Sequence, residues 1–338
     1  MKIDAGGYTQ TLQEAGAAAR RAEAAGFDGW WAVETQVDGF LAATIGAERT
    51  DRVDVGTGIV VAFARNPMSV ALAGNDVQQL SDGRFVMGLG SQVKGHITKR
   101  FSMPWSHPAP RMREFVLAVR AIWRAWETGE KLDFHGDFYS HTLMTPFFDP
   151  GPNPHGNPPI FVSAVGPLMT QAAGEVADGL ISHGFTTERY LREVTVPALE
   201  RGLAKRTDGV KTVDISLPLF AVAREADEDI SEAMRFVRQQ IGFYGSTPTY
   251  RPVLDLHGWG ALGDELGAMT RRGEWDKLAD AIDDEVLHTI AIVGTPEEAL
   301  AEAHRRYGDI IARLNFPLPP EGGEERWREL LSRSRATA

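Results

Sequence analysis

The chain has 338 residues, 43% of them apolar and 24% charged, with no cysteine and a formal net charge of -11. This composition fits a soluble globular protein, and the length allows one large α/β domain or two smaller ones. The missing cysteines exclude disulfides, thiolate metal sites and cysteine nucleophiles, and the acidic balance argues against nucleic acid as the main partner. No apolar run approaches the roughly 20 residues that span a bilayer, and no secretion signal is recognised, so we expect a cytoplasmic protein without a membrane partner.

Strand and helix patterns alternate along the chain, which is typical of a (β/α) barrel or a doubly wound sheet. The first two strands are predicted at residues 3–6 and 27–34, separated by an alanine-rich helix. Strands three and four, at 53–61 and 84–90, flank an apolar helix and therefore form a βαβ unit with parallel pairing. The other four strands are predicted at residues 159–165, 179–183, 213–223 and 289–294.

Eight pairs of strand and helix predict a (β/α)8 TIM barrel, for which about 250 residues suffice. We expect one domain over residues 1–316, with the surplus in two insertions, 92–158 after strand four and 243–284 after strand seven. Residues 317–338 are predicted to form an exposed C-terminal tail that ends in a short charged helix. The doubly wound alternative is weaker, because no Gly-x-Gly-x-x-Gly motif opens an early helix.

Short motifs rich in glycine follow one another through strands three and four. In sequence order they are GTGI at 56–59, RNP at 65–67, LSDGRF at 80–85 and GLGS at 88–91. Together they resemble the luciferase-like flavin and deazaflavin oxidoreductases. The segment that follows, QVKGHI at 92–97, is similar to the actinobacterial branch of that superfamily that uses coenzyme F420. The resemblance implies an oxidoreductase that binds F420, with FMN as the alternative cofactor.

The resemblance also implies a cofactor site at the carboxyl ends of the strands. It places a non-prolyl cis peptide bond between Gly58 and Ile59, against the central ring of the coenzyme, and places Gly90 and Ser91 beside that ring. A helix amino terminus after strand five can hold a phosphate through its free N–H groups, and strand six ends nearby. The residues concerned are Ala164, Val165, Gly166, Pro167, His183 and Gly184. The structural alternatives are barrel packing for Gly58, a plain turn for Gly90, and a hydrogen-bonding role for His183.

The residue that moves the proton is the least determined by the sequence. Many deazaflavin-dependent members of the family carry an acidic residue followed by histidine at the end of strand two, whereas this chain has Glu34 followed by Thr35. Glu34 is predicted to be catalytic, because a carboxyl group beneath an apolar ring can donate or accept a proton. Its alternative role is to order the loop by accepting hydrogen bonds from backbone amides. His96 is the second catalytic candidate, and His107 is a third that could instead cap a helix.

Aromatic residues suit a hydrophobic substrate pocket at the barrel mouth. The candidates are Trp30, Trp31, Phe63, Trp105, Phe185, Tyr244 and Trp259. Trp30 and Trp31 adjoin in a strand and must face opposite sides, so we expect at least one of them to pack within the barrel.

Three functions are consistent with these features. The leading one is an F420-dependent oxidoreductase that transfers a hydride between the deazaflavin and a small organic substrate such as an alcohol, imine or activated alkene. The second is a luciferase-like monooxygenase that uses reduced FMN, and the third is a non-catalytic cofactor-binding barrel. No metal site is expected, because no His-x-His pair ends an early strand. By resemblance, we expect a homodimer whose other partner is its small-molecule substrate.

Overall fold

Eight parallel strands close into a barrel in the computed structural model, which describes residues 1–225 and 229–337. The strands are β1 (Lys2–Gly7), β2 (Gly29–Ala32), β3 (Asp54–Thr57), β4 (Val60–Val61), β5 (Phe85–Gly90), β6 (Phe134–His135), β7 (Ser140–His141), β8 (Ile160–Ser163), β9 (Gly179–Ile181), β10 (Asp214–Pro218), β11 (Ala221–Ala223), β12 (Ile292–Gly294) and β13 (Arg313–Pro317). The barrel closes because β13 pairs with both β1 and β10, and β3 pairs with both β2 and β5. The predicted (β/α)8 fold is confirmed.

Helices surround the barrel, and several begin at residues that cap them. They are α1 (Leu12–Ala24), α2 (Gly39–Glu48), α3 (Pro67–Leu80), α4 (Pro108–Thr128), α5 (Pro167–Val176), α6 (Glu188–Tyr190), α7 (Val196–Leu203), α8 (Ser231–Gly245), α9 (Arg251–Leu256), α10 (Gly260–Arg271), α11 (Asp284–Ile290), α12 (Pro296–Tyr307) and α13 (Glu324–Thr337). Thr295 and Glu298 form a reciprocal capping box at the start of α12, which stabilises that end of the helix. Within the two described ranges, every helix is too short or too polar to cross a bilayer.

Two layers of side chains fill the barrel interior. Toward the amino ends of the strands, the Arg313 guanidinium donates to Asp4 at 2.6 and 2.9 Å and to Asp54 at 2.7 Å. The Trp31 indole also donates to Asp4, at 2.8 Å, which links this ion-pair layer to the apolar layer above it. The apolar layer consists of Trp31, Val86, Phe161 and Ile181. The barrel is therefore a packed core, and a ligand can enter only above the apolar layer.

The predicted eighth strand is wrong. Thr289 ends up in α11, and β12 pairs with β11 in a separate two-stranded sheet beside the barrel. The eighth barrel strand is β13, whose sequence RLNFP points Arg313 inward and ends in proline. An apolar run such as TIAIV has the appearance of a buried strand, while β13 is disguised by an inward charge that the ion-pair layer neutralises.

The prediction of an exposed C-terminal tail is also wrong. The charged helix is present as α13, but one of its faces is apolar and packs on the barrel. Trp327 is 3% exposed, and its ring lies 5.2 Å from the ring of Phe27 and 5.4 Å from that of Phe316. Arg21 of α1 adds an ion pair with Glu324 at 2.5 Å. The helix is thus part of the main hydrophobic core.

The segment after strand seven has a hydrophobic core of its own. Helices α8 to α11 enclose this second core, which reaches Phe185 and Tyr190 beyond the end of β9. Its largest buried members are Phe185, Tyr190, Met269, Ile241, Leu254, Leu266, Leu278 and Leu287. The segment after strand four holds α4 and the small hairpin of β6 and β7. That these two segments are insertions in a shorter ancestral barrel stays a prediction.

Candidate active site

The bulge at the end of the third barrel strand lies where the sequence predicts it. The peptide bond between Gly58 and Ile59 is cis, and it separates β3 from β4. Ile59 packs onto the apolar layer that contains Trp31 and Phe161. A Cβ atom on Gly58 would lie 3.6 Å from the Trp31 ring, which is an ordinary contact. The bulge therefore forms an apolar ledge on top of the barrel core, suited to a flat ring.

Two glycines of β5 let the third and fourth barrel strands approach closely at this bulge. The Thr57 hydroxyl accepts a hydrogen bond from the Gly88 amide and donates one to the Gly88 carbonyl, each at 2.9 Å. A Cβ atom on Gly88 would lie 1.8 Å from the Thr57 carbonyl oxygen, and one on Gly90 would lie 2.7 Å from Cγ1 of Ile59. Gly90 is thus required for packing as well as lying beside the bulge. The Ser91 hydroxyl donates to the Gln92 carbonyl at 3.1 Å.

The amino terminus of α5 has the features of an anion site. Gly166 is the N-cap residue, so no side chain caps the helix, and Pro167 occupies the first turn. A Cβ atom on Gly166 would meet no atom within 4 Å, so the space in front of the helix is open. Ala164 is anchored by a backbone hydrogen bond to the Ile181 carbonyl at 3.1 Å, which ties this loop to the end of β9. Uncapped N–H groups with the positive end of the helix dipole attract a phosphate.

Glu34 has the loop-ordering role that the sequence left as the alternative. Its carboxylate accepts a hydrogen bond from the Val61 amide at 3.1 Å and lies 3.0 Å from the Arg65 guanidinium. Arg65 also pairs with Asp38, the N-cap residue of α2. The side chain of Glu34 is only 7% exposed. These contacts connect the end of β2 to β4, and a catalytic role for Glu34 stays a prediction.

The two histidines that follow strand four lie in different settings. His96 is exposed and begins a short π-helical turn, His96–Arg100, whose last residue donates to the Thr35 carbonyl at 2.9 Å. His107 occupies the N-cap position of α4 but makes no side-chain cap, and its ring lies 5.9 Å from that of Phe138. A role for His96 in proton transfer stays a prediction.

His183 sits in a cluster of aromatic side chains just past the end of β9. Its Nδ1 atom accepts a hydrogen bond from the Phe185 amide at 2.9 Å, which assigns the ring proton of the neutral form to Nε2. The ring centres of Tyr244 and Tyr250 lie 4.4 and 4.7 Å from that of His183. Burial lowers the pKa of His183 to about 4, so the imidazole is uncharged near neutral pH. Gly184 follows, and a Cβ atom there would lie 2.9 Å from the Pro218 carbonyl oxygen.

Tyr8 belongs to the same cluster, and the sequence analysis missed it. It follows β1 directly and is 66% exposed. Burial, and then the hydroxyl of Tyr8 within hydrogen-bonding reach, raise the pKa of Tyr244. Burial and the charge of an ionised Tyr8 likewise raise the pKa of Tyr250 to about 12. The available signal was its position at the carboxyl end of a barrel strand, where such barrels carry their functional side chains.

The other aromatic candidates pack elsewhere. Trp30 faces outward against α2, where a Cβ atom on Gly46 would lie 2.5 Å from the indole, while Trp31 faces inward. Phe63 is fully buried, with the Arg111 guanidinium 4.5 Å from its ring centre and Trp105 at 5.7 Å. Trp259 stacks on His257 at 4.6 Å. Phe185 and Tyr244 are the two candidates that join the His183 cluster.

Comparison with known proteins assigns the family. The model of the luciferase-like monooxygenase family matches residues 1–313. The chain belongs to this family. An uncharacterized protein of Mycobacterium tuberculosis is 49% identical over 314 residues, covering 93% of this chain and 92% of the relative. The F420-dependent glucose-6-phosphate dehydrogenase of Nocardia farcinica is 31% identical over 201 residues, covering 57% of this chain and 56% of the relative.

Two solved structures share the fold of this luciferase-like protein. The coenzyme F420-dependent tetrahydromethanopterin reductase from Methanopyrus kandleri superposes with a TM-score of 0.77 at 18% identity, covering 98% of this chain and 97% of the other. A type II Baeyer–Villiger monooxygenase from Pseudomonas putida in complex with FMN gives 0.67 at 16% identity, covering 98% and 97%. The similar proteins thus use F420 or FMN. Family membership makes this protein an oxidoreductase of the luciferase-like type.

The buried histidine makes the stability of this luciferase-like protein depend on pH. The unfolded chain protonates His183 below about pH 6.5, whereas the folded protein does so only near pH 4. The unfolded state therefore binds more protons between these values, and the free energy of unfolding falls as the pH decreases through this window, by at most about 3 kcal/mol. His183→Asn keeps an acceptor for the Phe185 amide without the titration. Urea unfolding at neutral pH and near pH 4 is expected to show a smaller acid loss in the variant, and an equal loss would contradict the assignment.

Proposed function

We propose that this protein is an F420-dependent oxidoreductase that transfers a hydride between the deazaflavin coenzyme and a small organic substrate. The observation that carries the proposal is the cis bulge at Gly58 and Ile59, an apolar ledge at the barrel mouth where the family resemblance places the coenzyme ring. The F420-dependent relative from Nocardia farcinica supports the choice of cofactor. When bound, F420 supplies a carrier of two electrons and one proton as hydride.

The described residues fit such a coenzyme. Its flat ring would rest on Ile59, beside Gly90 and Ser91. Its phosphate would face the uncapped start of α5, at residues 164–167, where the space in front of Gly166 is open. His183 and Gly184 would border the ring edge between these two places. In this arrangement the chain orients the coenzyme and provides an apolar floor, while His183 adds an uncharged polar contact.

Reduced FMN with a monooxygenase activity is the second candidate, because an FMN-bound monooxygenase shares the fold and FMN also carries a flat ring and a phosphate. Parallel titrations with oxidised F420 and FMN, followed by fluorescence of the eight tryptophans and by cofactor absorbance, distinguish the two. We expect micromolar binding of F420 and much weaker binding of FMN. Preference for FMN would move the assignment to a monooxygenase, and binding of neither would favour the non-catalytic barrel.

A substitution at Gly166 tests the phosphate site with a matched control. Gly166→Asp places a carboxylate in open space at the helix amino terminus, where it occupies and repels the position of the phosphate. We expect the dissociation constant of F420 to rise at least about tenfold. Gly166→Ala adds a methyl group without charge and is expected to change it less than about threefold. Equal effects of the two substitutions would locate the phosphate elsewhere.

A further inference from the structure

Three tyrosines and His183 form one continuous polar surface at the barrel mouth, which we call the phenol wall. Its members come from four elements: Tyr8 after β1, His183 after β9, Tyr244 from α8 and Tyr250 from the turn Pro248–Tyr250. The ring centres of Tyr244 and Tyr250 lie 5.3 Å apart, and both lie within 5 Å of His183. Phe220, which follows β10, stacks on Tyr244 at 6.0 Å and supports it from behind.

The phenol wall lies across the barrel mouth from the cis bulge. The strands follow one another around the barrel in the order β1, β2, β3, β5, β8, β9, β10 and β13. In a closed ring of eight strands, β10 is opposite β3, and β9 and β1 lie toward that same side. A ring resting on the bulge of β3 therefore turns its free side toward the phenol wall. A substrate that meets the free side of the coenzyme must also meet this wall.

The charge of the phenol wall restricts what it can bind. Near neutral pH the imidazole of His183 is uncharged, and the two buried phenols keep their protons because burial raises the pKa of both. The four members therefore offer hydroxyl and imidazole groups but no positive charge to balance an anion. An anionic substrate would lose its hydration at this surface without gaining a counter-ion. An uncharged group with one oxygen, such as a ketone, an aldehyde or an alcohol, matches these donors.

Tyr8 is the member of the wall that can reach both ligand and water. It is 66% exposed, whereas Tyr244 and Tyr250 are partly buried behind it. Because Tyr244 keeps its proton to high pH, its hydroxyl donates toward Tyr8. Glu34, by contrast, already accepts hydrogen bonds from Val61 and Arg65. Tyr8 thus combines access to the mouth with a hydrogen-bond donor placed to stabilise its oxygen.

We propose that Tyr8 is the catalytic residue that exchanges a proton with the substrate oxygen, that Tyr244 positions it, and that the phenol wall selects uncharged carbonyl or alcohol substrates. This proposal rests on the proposed function, which supplies the hydride. In the direction of reduction, the carbonyl carbon receives the hydride and the carbonyl oxygen takes the hydroxyl proton of Tyr8, giving the alcohol. The phenolate left on Tyr8 is stabilised by the hydrogen bond from Tyr244 and regains a proton from water. Alcohol oxidation reverses each of these transfers.

The first test uses the enzyme with F420 and compares phenylalanine substitutions. Tyr8→Phe removes one exposed hydroxyl and is expected to lower kcat at least about 100-fold, while the dissociation constant of F420 changes less than about twofold. Tyr190→Phe, which removes a buried hydroxyl in the second core, is the control and is expected to leave kcat unchanged. Tyr244→Phe is expected to move the alkaline limb of the pH profile of kcat to higher pH, an effect that loss of packing alone would not produce. A Tyr8→Phe enzyme with kcat within about threefold of the wild type would overturn the proposal.

The second test needs neither coenzyme nor turnover. Cyclohexanol and cyclohexyl phosphate are matched in shape and differ in charge, and ligand-observed NMR measures the binding of each to the coenzyme-free protein. We expect cyclohexanol to bind, Tyr8→Phe to weaken it about five- to tenfold, and cyclohexyl phosphate not to bind. Equal binding of the two, or insensitivity to Tyr8→Phe, would overturn the phenol wall as the selecting surface. Failure of F420 to bind would instead overturn the proposed function, while this probe experiment still gives its own answer.

Discussion

Replacing Gly88 with alanine is expected to abolish stable folding of the barrel. The added Cβ atom would lie 1.8 Å from the Thr57 carbonyl oxygen and 2.7 Å from Cδ1 of Ile181. The first of these is a backbone atom, so a change of side-chain rotamer cannot relieve the clash. The strands would have to separate, which breaks the paired hydrogen bonds between Thr57 and Gly88. We expect a loss of roughly 3 kcal/mol or more in the free energy of unfolding.

The matched control is alanine at another glycine that has free space around it. Gly95 has helical backbone angles, and a Cβ atom there would meet nothing within 4 Å. Gly95→Ala is expected to be neutral or stabilising by less than about 1 kcal/mol. Soluble expression and urea unfolding followed by tryptophan fluorescence measure both variants. A Gly88→Ala protein as stable as Gly95→Ala would show that β3 and β5 do not approach as closely as described.

Removal of the Asp4 carboxylate is expected to have the second largest effect. Asp4 is fully buried and accepts from Arg313 twice and from the Trp31 indole once. Asp4→Ala would leave the guanidinium in the barrel interior with Asp54 as its remaining partner. An uncompensated buried charge costs about 3–5 kcal/mol, and we expect a loss at the lower end of that range.

An exposed ion pair of the same network provides the comparison. Lys2 pairs with Asp54 at 2.5 Å, but its side chain is 53% exposed. Lys2→Met is therefore expected to cost less than about 1 kcal/mol. A double variant, Asp4→Leu with Arg313→Met, removes both buried charges and is expected to recover much of the stability lost in Asp4→Ala. If Asp4→Ala costs no more than Lys2→Met, the ion pair inside the barrel contributes nothing that its surface counterpart lacks.

Most of the barrel could be predicted because its strands are local signals. The first seven strands are short apolar runs bounded by glycine, proline or aspartate, and each was placed at its position from these limits. The prediction of strand three and that of strand seven each merged two strands, because an apolar run does not show where the chain bulges or changes sheet. The eighth strand could not be predicted locally. Its inward Arg313 is acceptable only because Asp4 and Asp54, far away in sequence, lie opposite it.

The candidate site divides in the same way. The bulge at Gly58 and the start of α5 at Gly166 lie within contiguous motifs, so the sequence was sufficient to place them. The contacts of Glu34 with Arg65 show how a predicted catalytic group can instead be held by a neighbour that the motif did not suggest. Tyr8 and Tyr244 meet only because the first barrel strand and α8 share one end of the barrel. A single residue with no motif around it gives no local signal for such a meeting.

The pairing of β1 with β13 also determines when the barrel can close during synthesis. β1 is among the first residues to leave the ribosome, yet one of its two neighbours is residues 313–317, which are translated near the end of the chain described here. Until then, the nascent chain carries an open strand edge on each side of a growing sheet, and such edges are prone to pair with other chains. Slow elongation over residues 219–312 would prolong that exposure, so the yield of native protein should respond to chaperones that shield nascent chains.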